Sequence, residues 1–278
     1  MDQNRLTEDD IDQMSYTDFI ALLDETNRCP GGKKTIRRIR ELIHIDGKTN
    51  ILDVGSNTGF TSLELSRITP AKISGIDISE SCVSQAEKSL SEDIGSVRSR
   101  VTFQVASSYN IPFPGDNFDL IMAGGATGFM DDKSKAIHEY LRVLKPWGFL
   151  VMSPLTYHTQ PPQKMVDDVS EIIGTTIKPM TTKDWINTVD EISEDFEFYF
   201  SEPHKLSPRI SEEIDEYVDY FLKKDHIKIL SESVKDAIKR RWLSILRVFN
   251  ENHKYLGYSI IVFRKRPVVE EPELFRST

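Results

Sequence analysis

The sequence predicts an α/β fold, a doubly wound and mostly parallel sheet with helices on both faces. Three observations carry that prediction. Between residues 50 and 153, short apolar runs alternate with segments of helical period in the βαβ manner. The first of these runs, Ile51-Leu-Asp-Val, passes straight into a turn with glycines at 55 and 59. A stretch of roughly fifty residues, 207–254, is too long for a plain loop and repeats its apolar residues at helical spacing between two late strand candidates.

Near the start, residues 15–23 place Tyr16, Phe19, Ile20, Leu22 and Leu23 on a short amphipathic helix. Pro30-Gly31-Gly32 then forces a turn, and a helix over 34–43 leads into the first strand. Parallel strands are expected near 50–55, 72–77, 101–105, 118–123 and 148–153. After them come a loop over 154–163 holding Tyr157 and His158, a helix ending near Ile173, and a threonine-capped helix over 181–191. Residues 196–200 and 255–264 read as the last two strands. The stretch between them reads as two helices. Ser211 is expected to cap the first, whose stripe is Ile214, Tyr217, Val218, Phe221 and Leu222; the second carries Val234, Ala237, Ile238, Trp242, Ile245, Leu246 and Phe249. The first is acidic and the second basic, so they read either as two solvated faces or as a charge-matched pair. Arg241 is the one charge inside the second stripe, either binding an anion or reaching past a packed helix into water.

The turn after the first strand reads Asp53-x-Gly55-x-Asn57-x-Gly59. A dinucleotide site would read G-x-G-x-x-G and set a pyrophosphate on the helix N-terminus. An aspartate at the strand end does little for a pyrophosphate but suits a ligand that carries an ammonium group. The second strand ends in another acid, Asp77, able to accept both hydroxyls of a ribose. Together the two acids suit an adenosine-bearing zwitterion. Ligands of such sheets lie over the carboxyl ends of the strands, where Asp53, Asp77, Ser107 and Gly124 converge.

Further along stand Val101-Thr-Phe-Gln-Val-Ala-Ser-Ser108, Ile111-Pro-Phe-Pro-Gly-Asp-Asn-Phe-Asp-Leu-Ile121 and Leu141-Arg-Val-Leu-Lys-Pro-Trp-Gly148. With these pieces in this order, residues 35–155 resemble the class I S-adenosylmethionine (SAM) dependent methyltransferases of small-molecule type. The resemblance implies a Rossmann-like, seven-stranded sheet with an antiparallel last strand, the helical stretch being a cap insertion between the last two strands. It implies SAM as cofactor, with Asp53, Gly55, Ser56, Asn57, Thr58 and Gly59 around its methionine part. Asp77 and Ile78 would meet the ribose, Ala106, Ser107 and Ser108 the adenine, and Gly124 the end of the fourth strand. Two positions depart from the pattern: Asn57 replaces a common glycine, and the aspartate often found after strand three is replaced around Ala106, Ser107 and Ser108. Asparagine tolerates positive φ, so the turn is expected to survive. The implied organisation is an N-terminal lid segment (1–34), a SAM-binding core (35–206), a helical cap (207–254), and the last core strand with a tail (255–278). Tyr16, Asn27, Arg28, Tyr157 and Arg241 are the lid or substrate candidates, and His158 is the candidate base.

The chain has 278 residues, 38% of them hydrophobic, which is enough for a sizeable core. Its formal charge of −9 argues against a nucleic-acid partner, which needs a basic face. Cys29 and Cys82 fit neither a metal-ligand spacing nor a disulfide framework, and no signal peptide or membrane span is read. A cytoplasmic protein without membrane partners is expected; a homo-oligomer is compatible with all of this. Met122-Ala-Gly-Gly-Ala-Thr-Gly128 lacks the Asn-Pro-Pro-Tyr pattern of enzymes that methylate amide or adenine nitrogen. It also lacks the carboxylates of magnesium-dependent catechol-type enzymes, and helix capping accounts for Asp131 and Asp132. The expected reaction is therefore metal-independent methyl transfer to an O, N or C atom of a metabolite or natural-product acceptor. The alternatives are a methyltransferase for protein or RNA, or a SAM-binding protein that does not methylate.

Overall fold

The strands are β1 (Asn50–Val54), β2 (Lys72–Asp77), β3 (Val101–Val105), β4 (Phe118–Met122), β5 (Leu144–Met152), β6 (Leu155–Tyr157), β7 (Phe196–Lys205) and β8 (Leu256–Lys265). A computed structural model describes residues 6–26 and 28–267. The sheet order is β3-β2-β1-β4-β5-β8-β6, with β7 also paired to β8. Pairs among β1 to β5 are parallel, and β8 runs antiparallel to both β5 and β6. The mostly parallel sheet with an antiparallel final strand is thus present. Its additional strand is β6, three residues in the stretch expected as loop, held by a Thr156–Ser259 hydroxyl contact of 3.1 Å.

The first helices are α1 (Glu8–Gln13), α2 (Tyr16–Leu22), α3 (Lys33–Leu42), α4 (Phe60–Ile68), α5 (Glu80–Ser91) and α6 (Gly95–Arg98). Then follow α7 (Lys133–Val143), α8 (Gln163–Ile173), α9 (Thr182–Ile192), α10 (Ser211–Leu222), α11 (Asp225–Lys228) and α12 (Glu232–Asn252). By packing, Cys29–Pro154, Lys183–Glu202 and the described residues from Ile260 form an α/β unit. The described residues up to Arg28, Leu155–Thr182 and Pro203–Ser259 form a helical unit.

In the α/β unit, β1 is covered on both faces, so Ile51, Leu52 and Val54 are buried, as a central parallel strand requires. In β2, Gly75 lets the ring of Phe103 from β3 lie across the strand; a Cβ there would stand 2.5 Å from Phe103 Cδ1. Asp132 caps α7, its Oδ1 accepting from the Lys135 N–H at 2.9 Å.

The helical unit has its own core of Ile11, Phe19, Leu23, Val218, Phe221, Ile227, Ile238 and Trp242, among others. Helix α12 packs against α1, α8 and α10, which is why its stripe is apolar over its whole length. Helix α1 was not anticipated. Its signal is Thr7-x-x-Asp10, whose two side chains cap each other's N–H groups. The cap position of α10 is Ile210 and Ser211 is the first helical residue; the Glu213 carboxylate takes the Ile210 N–H at 3.2 Å, so no hydroxyl is required. Of the charge-matched pairs anticipated between the two insertion helices, Lys239 and Asp219 meet at 3.0 Å.

Arg241 donates to the carbonyls of Ile11 and Met14 and lies 4.7 Å over the ring of Phe19. It closes the end of α1 with a positive charge, the favourable sign at a helix C-terminus. Arg241→Met keeps much of the stem but loses these bonds. The expected result in denaturant unfolding is a loss of about 1–2 kcal/mol.

Candidate active site

The turn between β1 and α4 is built from residues that accept positive φ: Gly55 at +70°, Asn57 at +47° and Gly59 at +88°. Asn57 takes the left-handed position, and its own Oδ1 accepts from the Thr58 N–H at 2.7 Å. The N–H groups of Gly55 and Ser56 both donate to Ile76 O, at 2.9 and 3.0 Å, which ties the turn to the end of β2. Space is as demanding as φ. A Cβ on Gly55 would stand 2.3 Å from Ala126 Cβ, and one on Gly59 would stand 2.9 Å from Phe103 Cζ.

Asp77 at the end of β2 locks this turn. Its Oδ2 accepts from the Asn57 N–H at 2.8 Å and its Oδ1 from the Ser79 N–H at 2.9 Å. Each carboxylate oxygen keeps a further lone pair, so the geometry leaves Asp77 able to accept two hydroxyls as well. Asp53 is buried beneath the turn, its Oδ2 bonded by the Ser62 hydroxyl at 2.7 Å. Burial pushes its carboxyl up to about 6, the Ser62 bonds pull the other way, and the charge of Asp77 adds to the rise. Two like charges in one crevice create a site that favours a cationic ligand. The Cys29 thiol, raised to about 12 chiefly by burial, also feels the Asp53 charge.

The turn also holds two buried hydroxyl oxygens, Ser56 Oγ and Thr58 Oγ1, with no hydrogen-bond partner. Buried polar groups are normally satisfied, so these two hydroxyls keep hydrogen-bonding capacity that a polar ligand group would fill. The residues thus fit a zwitterionic nucleoside: hydroxyls for its carboxylate, acids for its positive charges and its ribose. Beside Asp77, Ile78 is 78% exposed and Val105, in register with Asp77, is 52% exposed. This is apolar surface suited to a stacked base. Ala106 donates its N–H to Asp77 O at 2.9 Å, Ser107 Oγ accepts from the Tyr109 N–H at 3.2 Å, and the Ser108 hydroxyl turns to Met130 Sδ at 3.4 Å. Ser107 therefore keeps its proton for a ligand, whereas Ser108 does not. Gly124 lies beyond β4, and at the adjacent Gly125 a Cβ would meet nothing within 4 Å, so this end of the strand is open.

The structure thus brings together Asp53, Gly55, Ser56, Asn57, Thr58, Gly59, Asp77, Ile78, Ala106, Ser107, Ser108 and Gly124 in the α/β unit. Sequence reasoning missed Val105, Phe103 and Cys29. Strand alternation pointed to Val105, while the other two had no signal of their own. The remaining candidates belong to the helical unit, except Asn27, which lies outside the described residues. His158 is exposed, with Nδ1 at 3.0 Å from Thr159 Oγ1. Tyr157 is buried, its hydroxyl accepting from Asn252 Nδ2 at 3.1 Å, and burial raises its phenol. Tyr16 packs edge-on against Phe249 with ring centroids 5.7 Å apart, Arg28 is exposed, and Arg241 serves α1 as described.

A cation beside Asp53 favours its ionised form. Ligand affinity should accordingly be full above about pH 6 and fall toward tenfold per unit below it. The stability of the ligand-free protein should move the opposite way. A carboxyl raised in the folded state stabilises the fold below its unfolded value of 3.8, and that contribution is lost as pH rises through about 6. Both pH steps should be absent from Asp53→Asn, as calorimetric titration and thermal unfolding across pH 5–8 would show. A step of unchanged size in the variant would remove Asp53 from the account.

The strand order, the antiparallel β8 and the glycine-rich turn below two acids define a Rossmann-like fold, and the residues at its switch point fit a nucleoside. Residues 51–148 match the family described as methyltransferase domain. The crystal structure of MccD protein superposes with a TM-score of 0.74 at 25% identity, covering 86% of this chain and 100% of that one. A Haemophilus influenzae protein described as uncharacterized is 24% identical over 250 residues, 89% of this chain and 96% of that protein. The ubiquinone/menaquinone biosynthesis C-methyltransferase UbiE of Geobacter sulfurreducens is 36% identical over 105 residues, 37% of this chain and 40% of the enzyme. A Haemonchus contortus phosphoethanolamine N-methyltransferase, solved with SAM, shares the fold at a TM-score of 0.67 and 16% identity, over 94% of this chain and 60% of that one. The chain has the class I SAM-dependent methyltransferase fold, with a methyltransferase domain over residues 51–148, and SAM is its cofactor.

Proposed function

We propose that the protein transfers a methyl group to an O, N or C atom of a small metabolite or natural-product acceptor by metal-independent direct displacement. The observation that carries this reading is the turn over 53–59, where two orphaned hydroxyls and a buried acid face the place of a zwitterion. SAM, when bound, supplies the methyl group and a sulfonium leaving group. The chain's part is to bind, orient and exclude water. Asp53 balances positive charge, Ser56 and Thr58 satisfy a carboxylate, and Asp77 holds the ribose while fixing Asn57. The open end of β4 at Gly125 leaves room for an acceptor. His158 is the proposed proton acceptor where the substrate arrives protonated. The likeness over 105 residues to a ubiquinone/menaquinone biosynthesis C-methyltransferase supports a small acceptor.

The test is incubation with methyl-labelled SAM and a whole-cell extract, followed by separation of small molecules from macromolecules. Label in the small-molecule fraction is the expected result. Label confined to protein or RNA would overturn the reading.

A further inference from the structure

At the end of the sheet opposite the cofactor turn, the α/β unit holds a cavity of about 250 Å³. It lies where β1, β4 and β5 begin: Thr49 stands just before β1, Asp119 is near the start of β4, and Lys145 to Phe149 belong to the first part of β5. Here the β4–β5 ladder is interrupted. Phe118 pairs with Leu144 and Leu120 with Phe149, so two steps along β4 face five along β5. The extra residues bulge out, and a bulge re-aims side chains that a regular strand would alternate between its faces. The bulge is fixed in place. Lys145 donates its ammonium to both carboxylate oxygens of Asp119, at 2.8 and 2.9 Å, and Asp119 Oδ2 also accepts from the Asn50 N–H at 2.8 Å. A Cβ on Gly148 would stand 2.9 Å from Lys145 O and 3.0 Å from Asp119 O, so glycine is required there.

Within the bulge stands Trp147 at φ +63°, a conformation costly to a bulky L-residue and free to glycine. The indole gains little burial in return: it is 39% exposed, whereas Trp185 and Trp242 are 2% and 3% exposed. A packing role does not account for a tryptophan that bears backbone strain and stays in water, and strain of this kind collects at ligand sites. The Arg264 guanidinium lies over the indole at 4.7 Å and over the Phe149 ring at 5.6 Å, and Arg264 Nε is buried with no hydrogen-bond partner. A cation thus backs the indole, and the ring borders the cavity. The charges around the cavity leave the cations in excess. Lys145 and Asp119 neutralise each other, and the Asp46 carboxylate is taken up by the N–H groups of Lys48 and Thr49 and by the Thr49 hydroxyl, at 2.9, 3.1 and 3.0 Å. Among the described residues, neither the exposed Lys48 ammonium nor the Arg264 guanidinium has an ion pair. Two such cations face one carboxylate whose lone pairs are already engaged.

We propose that this cavity is a second ligand site, separate from the cofactor crevice, and that it takes a small planar aromatic anion. The ligand's ring stacks on Trp147, and its anionic group meets the Lys48 ammonium. Arg264, behind the indole, adds attraction for the negative charge, and the Lys145–Asp119 pair holds the bulge that presents the ring. The volume suits a ligand of one or two rings and is too small for a dinucleotide. None of these residues takes part in the cofactor chemistry.

The experiment titrates the full chain calorimetrically with naphthoate and, in parallel, with the neutral naphthalenemethanol. Wild-type protein should bind one naphthoate saturably and the alcohol about tenfold more weakly, the loss of one charge-assisted contact. Trp147→Gly, which relieves the positive φ while removing the ring, should lower naphthoate affinity about tenfold or more, and Trp147→Phe should recover part of it. Lys48→Gln, a change at an exposed side chain, should bring naphthoate down to the affinity of the alcohol. A cooperative unfolding transition in each variant shows it to be folded; if Trp147→Gly lacks one, Lys48→Gln carries the test. The proposal is overturned if wild-type protein shows no saturable naphthoate binding, if it binds acid and alcohol equally, or if folded Trp147→Gly or Lys48→Gln binds naphthoate as wild type does.

Discussion

Asp77→Ala should weaken SAM binding by about 100-fold or more, close to 3 kcal/mol, in calorimetric titration. Two losses combine. The ribose hydroxyls lose their acceptor, and the N–H groups of Asn57 and Ser79 lose theirs, so the turn that cradles the methionine part is released with it. Asp77→Asn separates the two contributions. It keeps one carbonyl oxygen for a turn N–H but turns a donor toward the other, and should fall between wild type and alanine. If alanine and wild type bind SAM equally, Asp77 has no part in the site.

Gly55→Ala should be as damaging by a different route. The new Cβ would have to occupy a point 2.3 Å from Ala126 Cβ, at a φ of +70° that costs an L-residue about 1–2 kcal/mol by itself. Neither neighbour is a flexible chain end, so the backbone of the turn or of the 126–129 segment has to move. The expected outcome is a stability loss of about 2–4 kcal/mol together with loss of measurable SAM binding. Gly125→Ala is the control: its Cβ meets nothing within 4 Å, so stability and SAM affinity should hold.

The α/β unit was legible in the sequence because its strands are buried on both faces and its turn uses residues chosen for φ. Ile51 to Val54 has no other reading than a central strand once Gly55 follows, and Asp53 and Asp77 fall where two such strands end. Strand β6 was not legible, because three residues carry no periodicity. The start of β5 at Leu144, ahead of the strand expected from 148, was obscured by Trp147, a bulky residue held at φ +63°. Helix α1 had a signal in Thr7 and Asp10 that the surrounding acidic residues masked. The hydrogen bond from Tyr217 to Glu25 in the helical unit was beyond sequence reasoning, since the partners are separated by 192 residues and meet only when α2 and α10 pack in one helical core. Tyr217 did stand in the predicted apolar stripe, but periodicity shows that a residue faces a core, not that its hydroxyl is matched there.

The central claim is that the 53–59 turn and Asp77 hold SAM. The most direct test is calorimetric titration of the wild-type protein with SAM at pH 7.5, alongside S-adenosylhomocysteine, which lacks the sulfonium charge. Saturable one-to-one binding of both ligands is expected, with both losing affinity in Asp53→Asn, since each carries an ammonium group. Absence of binding by either ligand to folded protein would contradict the account.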